Sequence, residues 1–546
     1  SQDLSDDLDL ARRRVNNQFL LNADADGDER LRLVPLAQDR KAFIACLNHD
    51  GVSPLNATTL GLGDDDSPKA LQAYQFFNTE LRRQQVNPGQ NPQLARFAHL
   101  YPLNLDIVQE VIASRLTLIM IETKNLDDVN AIFESLNATG RPLTQLDLLR
   151  NYIFMLLGGR ADSVLRDHWA PMQRDHLRPA EIEQLIWCDL VSKGHNVLQN
   201  RTYRTTQAVL RSSGGNADAA EMYVTDLAKS ARFFERLIRP EKESIAPIRA
   251  ALVRLNRAGG KTAYPMILWL YAERNAGRCT DQDVVAGIGY VESFIVRRFL
   301  TGLSPNNLNS MFGSMLARLH SDLLVGDVLS RLAEAMQSTP KEWPSNEALR
   351  DGIRSMDFYG AGKTAQRILI LETLDRKLAP SGAVMNYEES DQSIEHVLVQ
   401  GENPSGAWEA DLRELGESFA EVRERFAHTL GNLSVVTPVE NSTYSDKRFS
   451  EKVHLYPLSA YALTRKIATD FTEITRDNRL WGSEAILQRA DALSELAAEC
   501  WPRPVIVAAS SVLPAELEAE AIGLDQGDED IPFTSSVEED SFTEDE

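Results

Sequence analysis

The sequence predicts a mainly α, multidomain protein that ends in a small α+β module. Three observations carry this. The chain has 546 residues, more than a single hydrophobic core usually organises. From about residue 160 to 380 apolar residues recur at helical spacing with little interruption. After Pro380 the texture changes, and short β-like runs at 393–399 and 433–437 appear among polar loops before helices resume. Apolar residues at 43% and charged residues at 25% are ordinary for a globular chain, which excludes a wholly disordered protein.

Taken in order, Ser1 to Asp7 is polar and acidic, so no signal peptide is read there. No stretch approaches the ~20 apolar residues of a membrane span, and a cytoplasmic protein without a membrane partner is expected. Asn22 to Glu29 places acids at alternate positions before Gly27, in the manner of a calcium loop. The twelfth position is Leu33, where a bidentate Glu is needed, so a hairpin turn between Phe19–Leu21 and Arg30–Val34 is expected instead. Leu126, Val129, Ile132, Phe133 and Leu136 have helical spacing, and Gly140 and Pro142 stop that helix. Thr144 to Asp147 reads as a capping box, with Leu146, Leu149, Ile153 and Leu156 on one face of the helix that follows.

The helical middle includes Met266–Tyr271 and Val291–Leu300, where Arg297 and Arg298 are expected to be solvated, with nucleic-acid contact the less favoured reading. Gly360-Ala361-Gly362-Lys363-Thr364 invites a phosphate-loop reading. The motif fails, because Asp357 stands where its first Gly belongs and no apolar strand precedes it. Four widely spaced cysteines, none in a C-x-x-C pair, exclude a zinc ribbon and suit a reducing compartment. Thirteen acids and no Lys or Arg lie in 516–546, so that tail is expected to be disordered, and the other 515 residues carry a formal charge of −10 against −23 for the whole chain. Such a body can still present a basic groove to a phosphate backbone.

The C-terminal module holds the residues with chemistry. Glu395-His396 ends a β-like run, Gly431-Asn432 makes a turn, and Asn441 and Asp446 precede Lys447 and Lys452. A neutral His, with an ordinary pKa of ~6.5, can take a proton from water near neutral pH. Oxygen donors such as Glu395, Asn441 and Asp446 suit a hard divalent cation that neutralises a phosphodiester. Lys447 and Lys452 are expected to steady phosphates, and Asn432 to orient the histidine or hold the loop. Strand alternation places Glu395 and His396 on opposite faces, so a turn or bulge has to redirect one of them for both to serve one site. Each residue also has a plain structural reading: Glu395 as a surface acid, Asn432 as a turn residue, Asp446 as the cap of a following helix, His428 as a structural hydrogen-bonding group.

Together, Glu395 to Leu398, His428 to Leu433 and Asn441 to Phe449 resemble the HNH-type nuclease domain of the GmrSD-like, modification-dependent (type IV) restriction endonucleases. Phe133 to Leu143, with Asp147 to Asn151, resembles a signature of that family's N-terminal ParB/sulfiredoxin-like nucleotidase domain. The resemblance spans roughly residues 10–505 and implies four parts. These are the remainder of a ParB-like α/β nucleotidase domain (1–158), a helical middle (159–380), a ββα-metal, HNH-like nuclease module (381–505) and the acidic tail (506–546). It implies catalytic roles for His396 as general base, for Asn441, and for Asn432 as the residue that supports the fold of the site, with Mg2+ (or Mn2+) held by Glu395 and Asp446, DNA contacts from Lys447 and Lys452, and regulation by an NTP (GTP or ATP).

The chain departs from the family pattern in two places. Val399 stands where a Pro usually follows the histidine, and the nucleotidase signature Asp-Gly-Gln-Gln-Arg is absent and expected upstream of Ser1. The nucleotide-binding residues are therefore unassigned, with Asn137, Arg141 and Arg150 as candidates. The expected function is an Mg-dependent DNA endonuclease of bacterial antiphage defence that acts on modified phage DNA. Two competitors stay open: a nucleotide-gated DNA-binding regulator with an inactive nuclease fold, and an RNA-cleaving toxin-like effector. The sequence also leaves homo-oligomerisation open.

Overall fold

Two compact units, residues 1–125 and 126–546, make up the protein in a computed structural model. It describes residues 144–504 apart from 322–323, 325, 338–342, 381–386, 388–390, 402–406 and 475–479, and in the first unit 15–49 and 55–60 with gaps, 69–83 and 105–117. The expected helix at 126–136, with Asn137 and Arg141, and the acidic tail lie outside the described residues.

In the first unit Asn16–Leu20 is a single helical turn, and the chain reverses so that Leu21 bridges Leu31 antiparallel. Asn22 N–H donates to Arg30 O and Arg32 N–H to Leu20 O. The expected turn is present, but one bridge replaces the two strands because Phe19 and Leu20 are helical. Helices α1 (Ala37–Asn48) and α2 (Lys69–Arg83) pack together by burying Ala42 and Leu71. His49 Nδ1 and the Tyr74 hydroxyl lie 2.7 Å apart across that pair.

The second unit is nearly all helix. Its first described helix, α3 (Gln145–Leu157), starts at the expected capping box: Asp147 N–H donates to Thr144 Oγ1 at 3.1 Å and Thr144 N–H returns to Asp147 Oδ2 at 3.3 Å. Leu146, Leu149 and Ile153 face inward from it, and Arg150 is half-buried. α4 (Tyr264–Asn275) and α5 (Asp281–Leu300) run through the interior, which is why Met266–Tyr271 reads as an unbroken apolar run. Arg297 departs from expectation. It is 1% exposed and reaches neither solvent nor a ligand. Its guanidinium donates to Trp501 O (2.6 Å), Pro344 O (3.0 Å) and Asn346 Oδ1 (2.9 Å), and burial pushes its pKa down to about 10.

α6 (Asn346–Ser355) and α7 (Thr364–Leu378) lead into a two-stranded antiparallel sheet, β1 (Ser393–His396) and β2 (Leu433–Val436). Ser393 pairs with Val436 and His396 with Leu433, without a bulge. Short helices Ala407–Glu414 and Phe419–Phe426 lie between the strands, and α8 (Pro438–Tyr444), α9 (Phe449–Leu455), α10 (Ala462–Ile474) and α11 (Ser483–Cys500) follow β2. One apolar cluster joins Val296, Leu300, Leu349, Ile353 and Leu369–Leu371 to Leu430, Leu433, Tyr461, Leu493 and Trp501. The sheet therefore rests on α7 and α11 together. No described helix is long and apolar enough to cross a membrane.

Candidate active site

β1 ends on His396, and the unbroken register lets strand alternation prevail. Glu395 and His396 accordingly meet different partners. The Glu395 carboxylate is 2% exposed; Lys452 Nζ on α9 donates to its Oε1 at 2.8 Å, as does the hydroxyl of Tyr456, just after that helix, at 3.0 Å. Lys452 is itself fully buried and also donates to the His396 and Val397 carbonyls, at 2.8 and 3.3 Å. Burial pushes the Glu395 carboxyl up and the Lys452 ammonium down, and the ion pair offsets both. The redirecting bulge is absent. Glu395 is a buried partner of Lys452 where a metal ligand was expected, and Lys452 anchors the backbone of the histidine where a phosphate contact was expected.

His396 is 8% exposed. Its ring meets Tyr359 edge-on (centroids 4.6 Å, 71°), and its Nε2 lies 3.3 Å from His428 Nδ1. Tyr359 stacks on His428 at 5.5 Å and 16°, and the His428 carbonyl accepts from the Phe358 and Tyr359 N–H groups. Burial first, then His428 and Lys452, lower the His396 pKa to about 3. The imidazole is thus neutral at neutral pH, the form able to accept a proton.

Asn432 is completely buried. Its amide extends the sheet beyond the last strand pair by imitating a peptide group. Oδ1 accepts from Leu398 N–H (2.8 Å) and Trp481 Nε1 (3.0 Å), while Nδ2 donates to Leu398 O and Ala427 O (both 2.9 Å). Its role is to shape the chain just after His396. The neighbouring Gly431 is required by close packing: a Cβ there would lie 2.5 Å from Ile486 O on α11. From the same helix, buried Arg489 donates to the carbonyls of Leu430, Gly431 and Leu433 at 3.2, 2.8 and 2.7 Å.

A cavity of about 460 Å3 opens beside His396, and its wall includes Asn441, Ser445, Asp446, Tyr359, Thr364 and Arg367. Asn441 Nδ2 donates to Ser393 Oγ at 2.9 Å, which anchors α8 to β1. Asp446 is exposed and caps nothing, since the next helix starts at Phe449 with Arg448 before it. Lys447 donates to Thr443 O and does not line the cavity. The structure thus brings His396, Asn441 and Asp446 to one opening, with Glu395 in its wall but paired to Lys452, puts Asn432 and Lys452 behind it, and leaves Lys447 to one side. Tyr359, Arg367 and His428 were not assigned to the site from sequence. Only the failed Gly-Lys-Thr motif at 360–364 marked that stretch.

Two family models match the chain: the GmrSD restriction endonuclease N-terminal domain over residues 14–154 and the GmrSD restriction endonuclease C-terminal domain over 343–496. Together they cover more than half of its length. The chain belongs to the GmrSD restriction endonucleases. A search of curated proteins finds no match. Membership makes the protein a restriction endonuclease, a hydrolase that cuts DNA in defence against phage. The C-terminal match contains the entire cavity wall, including the turn with Tyr359 and the helix with Arg367 ahead of β1.

Proposed function

We propose that the GmrSD chain cuts DNA by metal-assisted phosphodiester hydrolysis at the His396 cavity, in a ββα-metal, HNH-like site made of β1, β2 and α8–α9. The carrying observation is a neutral, buried histidine at a strand end, opening on a cavity that also holds an amide and a carboxylate. With Nε2 engaged by His428, Nδ1 is the nitrogen left to take a proton from water. That role requires Nε2 to carry the hydrogen and donate to His428 Nδ1. The approaching phosphodiester is anionic and favours the imidazolium that forms. Water oxygen bonds to phosphorus, its proton passes to His396, the bond to the leaving oxygen breaks, and water protonates that oxygen. Lys452 holds the His396 and Val397 carbonyls in place through the reaction.

Among the described residues no three His, Cys, Asp or Glu side chains gather into a metal cluster. Mg2+ needs no such cluster, since it keeps several waters and takes one or two carboxylates together with substrate phosphates. The Asp446 carboxylate and the Asn441 amide oxygen fit that demand, and Glu395, neutralised by Lys452, does not. When bound, Mg2+ or Mn2+ supplies charge neutralisation at the phosphoryl oxygens. The N-terminal domain is proposed to be ParB-like and to couple GTP or ATP to recognition of modified phage DNA, in a cytoplasmic setting. Lys447 stays a candidate for the DNA backbone.

The test uses the full chain on unmodified and modified plasmids, with and without Mg2+ or Mn2+ and with GTP or ATP. Wild type is expected to cut only with metal, and His396→Ala to lose at least ~10²-fold in rate, the lower end of what a positioned base supplies. Equal cutting by both proteins removes His396 from the mechanism.

A further inference from the structure

The sequence nominated Lys447 and Lys452 to hold phosphates, but Lys452 is buried and neither lines the cavity. Among the described residues a single cationic side chain lines the cavity, that of Arg367. Several arginines of this unit are committed to carboxylates: Arg254 to Glu292, Arg257 to Glu372, Arg350 and Arg354 to Asp491. Arg367 differs. Its Nη2 donates to Thr364 Oγ1 at 2.9 Å, its Nε is buried with no hydrogen-bond partner, and no carboxylate among the described residues pairs with it.

Its guanidinium carbon lies 5.1 Å from the centre of the Tyr359 ring. The same ring meets His396 at 4.6 Å and stacks on His428. Tyr359 therefore sets the base and the cation at fixed positions around one opening, with Asp446 and Asn441 in the wall. A cation–π contact orients a guanidinium without consuming its N–H donors. The fork then keeps donors for two oxygens of a phosphodiester, a geometry that a lysine cannot reproduce. Arg367 lies in the first turn of α7, which has no side-chain cap.

The geometry points to Arg367, steadied by Tyr359 and Thr364, as the anchor for the scissile phosphate of DNA in the His396 cavity. This rests on the proposed nuclease reading and adds the residue that receives the substrate's charge. Cutting is expected to fall by about 10²- to 10³-fold in Arg367→Ala, the usual loss for one donor to a developing oxyanion. Arg367→Lys is expected to recover part of that rate.

The deciding measurement is binding of a DNA duplex by the full-length His396→Ala protein across a salt series, with and without Arg367→Ala. Loss of one phosphate contact lowers the slope of log Kd against log salt by about 1. An unchanged slope overturns the proposal even where cutting falls, because a purely structural arginine affects rate without removing a counterion. If His396→Ala still cuts like wild type the nuclease reading fails, while the salt slope still decides Arg367. Matching circular dichroism spectra and unfolding midpoints for the Arg367 variants keep misfolding out of the comparison.

Discussion

At the scale of single residues, the decisive property of His396 is that burial holds it neutral. Its folded pKa of about 3 lies below the ordinary ~6.5 of an unfolded histidine. The unfolded chain therefore binds the extra proton first as pH falls. The stability contributed by the neutral ring is fully present above about pH 6.5 and is lost progressively as pH falls through the folded value. His396→Ala is expected to flatten the fall of unfolding free energy between pH 6.5 and 3 by the equivalent of about one proton. Denaturant titrations at a series of pH values read this directly, and identical slopes in the two proteins would contradict the buried neutral ring. The histidine was legible in the sequence because an acid–His pair at a strand end is scarce and chemically pointed. Lys452 and Arg367 were not. A Lys beside other basic residues reads as a phosphate contact, and nothing local tells that it pairs with Glu395, 57 positions earlier. Arg367 follows a motif that fails as a phosphate loop, and only the fold brings it to the cavity.

Among the elements, the turn before β2 carries more of the site's geometry than either short strand. Four-residue strands supply few hydrogen bonds, and the Asn432 side chain adds what the backbone lacks by bonding both polar groups of Leu398. Arg489 draws three carbonyls of the same turn onto α11, and Gly431 permits that approach. The sequence showed Gly-Asn as a turn, which is correct for its shape. It did not show that the asparagine needs both its donor and its acceptor. Asn432→Asp keeps the size and the acceptors but loses the two donated hydrogen bonds, leaving a buried charge against the carbonyls of Leu398 and Ala427. The expected cost exceeds ~2 kcal/mol, since a buried polar group without its partner costs ~1–3 kcal/mol and more when charged. Asn432→Asp should therefore unfold at lower temperature and lose cutting in parallel with His396→Ala. A variant as stable as wild type would show that the turn does not depend on the amide.

For the whole molecule, the question is which stretch of chain makes a stable nuclease module. The change of texture after Pro380 suggested a module starting at 381, because periodicity reports local pattern and is silent about which surfaces meet. The folded unit ties the two sides of that point together. Leu430, Leu433, Tyr461 and Trp501 share one apolar cluster with Val296, Leu300, Leu349 and Leu369–Leu371. Asp375 on α7 accepts from Leu463 N–H at 2.6 Å and from the Tyr387 hydroxyl. Arg297 on α5 bonds the Trp501 carbonyl, and Arg350 and Arg354 on α6 bond Asp491 on α11. Tyr359, which positions His396, also precedes 381. A fragment of residues 381–505 would expose that apolar cluster and leave Asp375's partners and Asp491 unpaired, at a cost comparable to the ~5–15 kcal/mol that keeps a domain folded. It is expected to lack a cooperative urea transition and to give no cutting with Mg2+. A fragment of 144–504 is expected to unfold in one transition, followed together by tryptophan fluorescence and circular dichroism. A sharp transition in the 381–505 fragment would mean that the sheet and α8–α11 stand alone, and the packing against α5–α7 would then be a contact between separate domains.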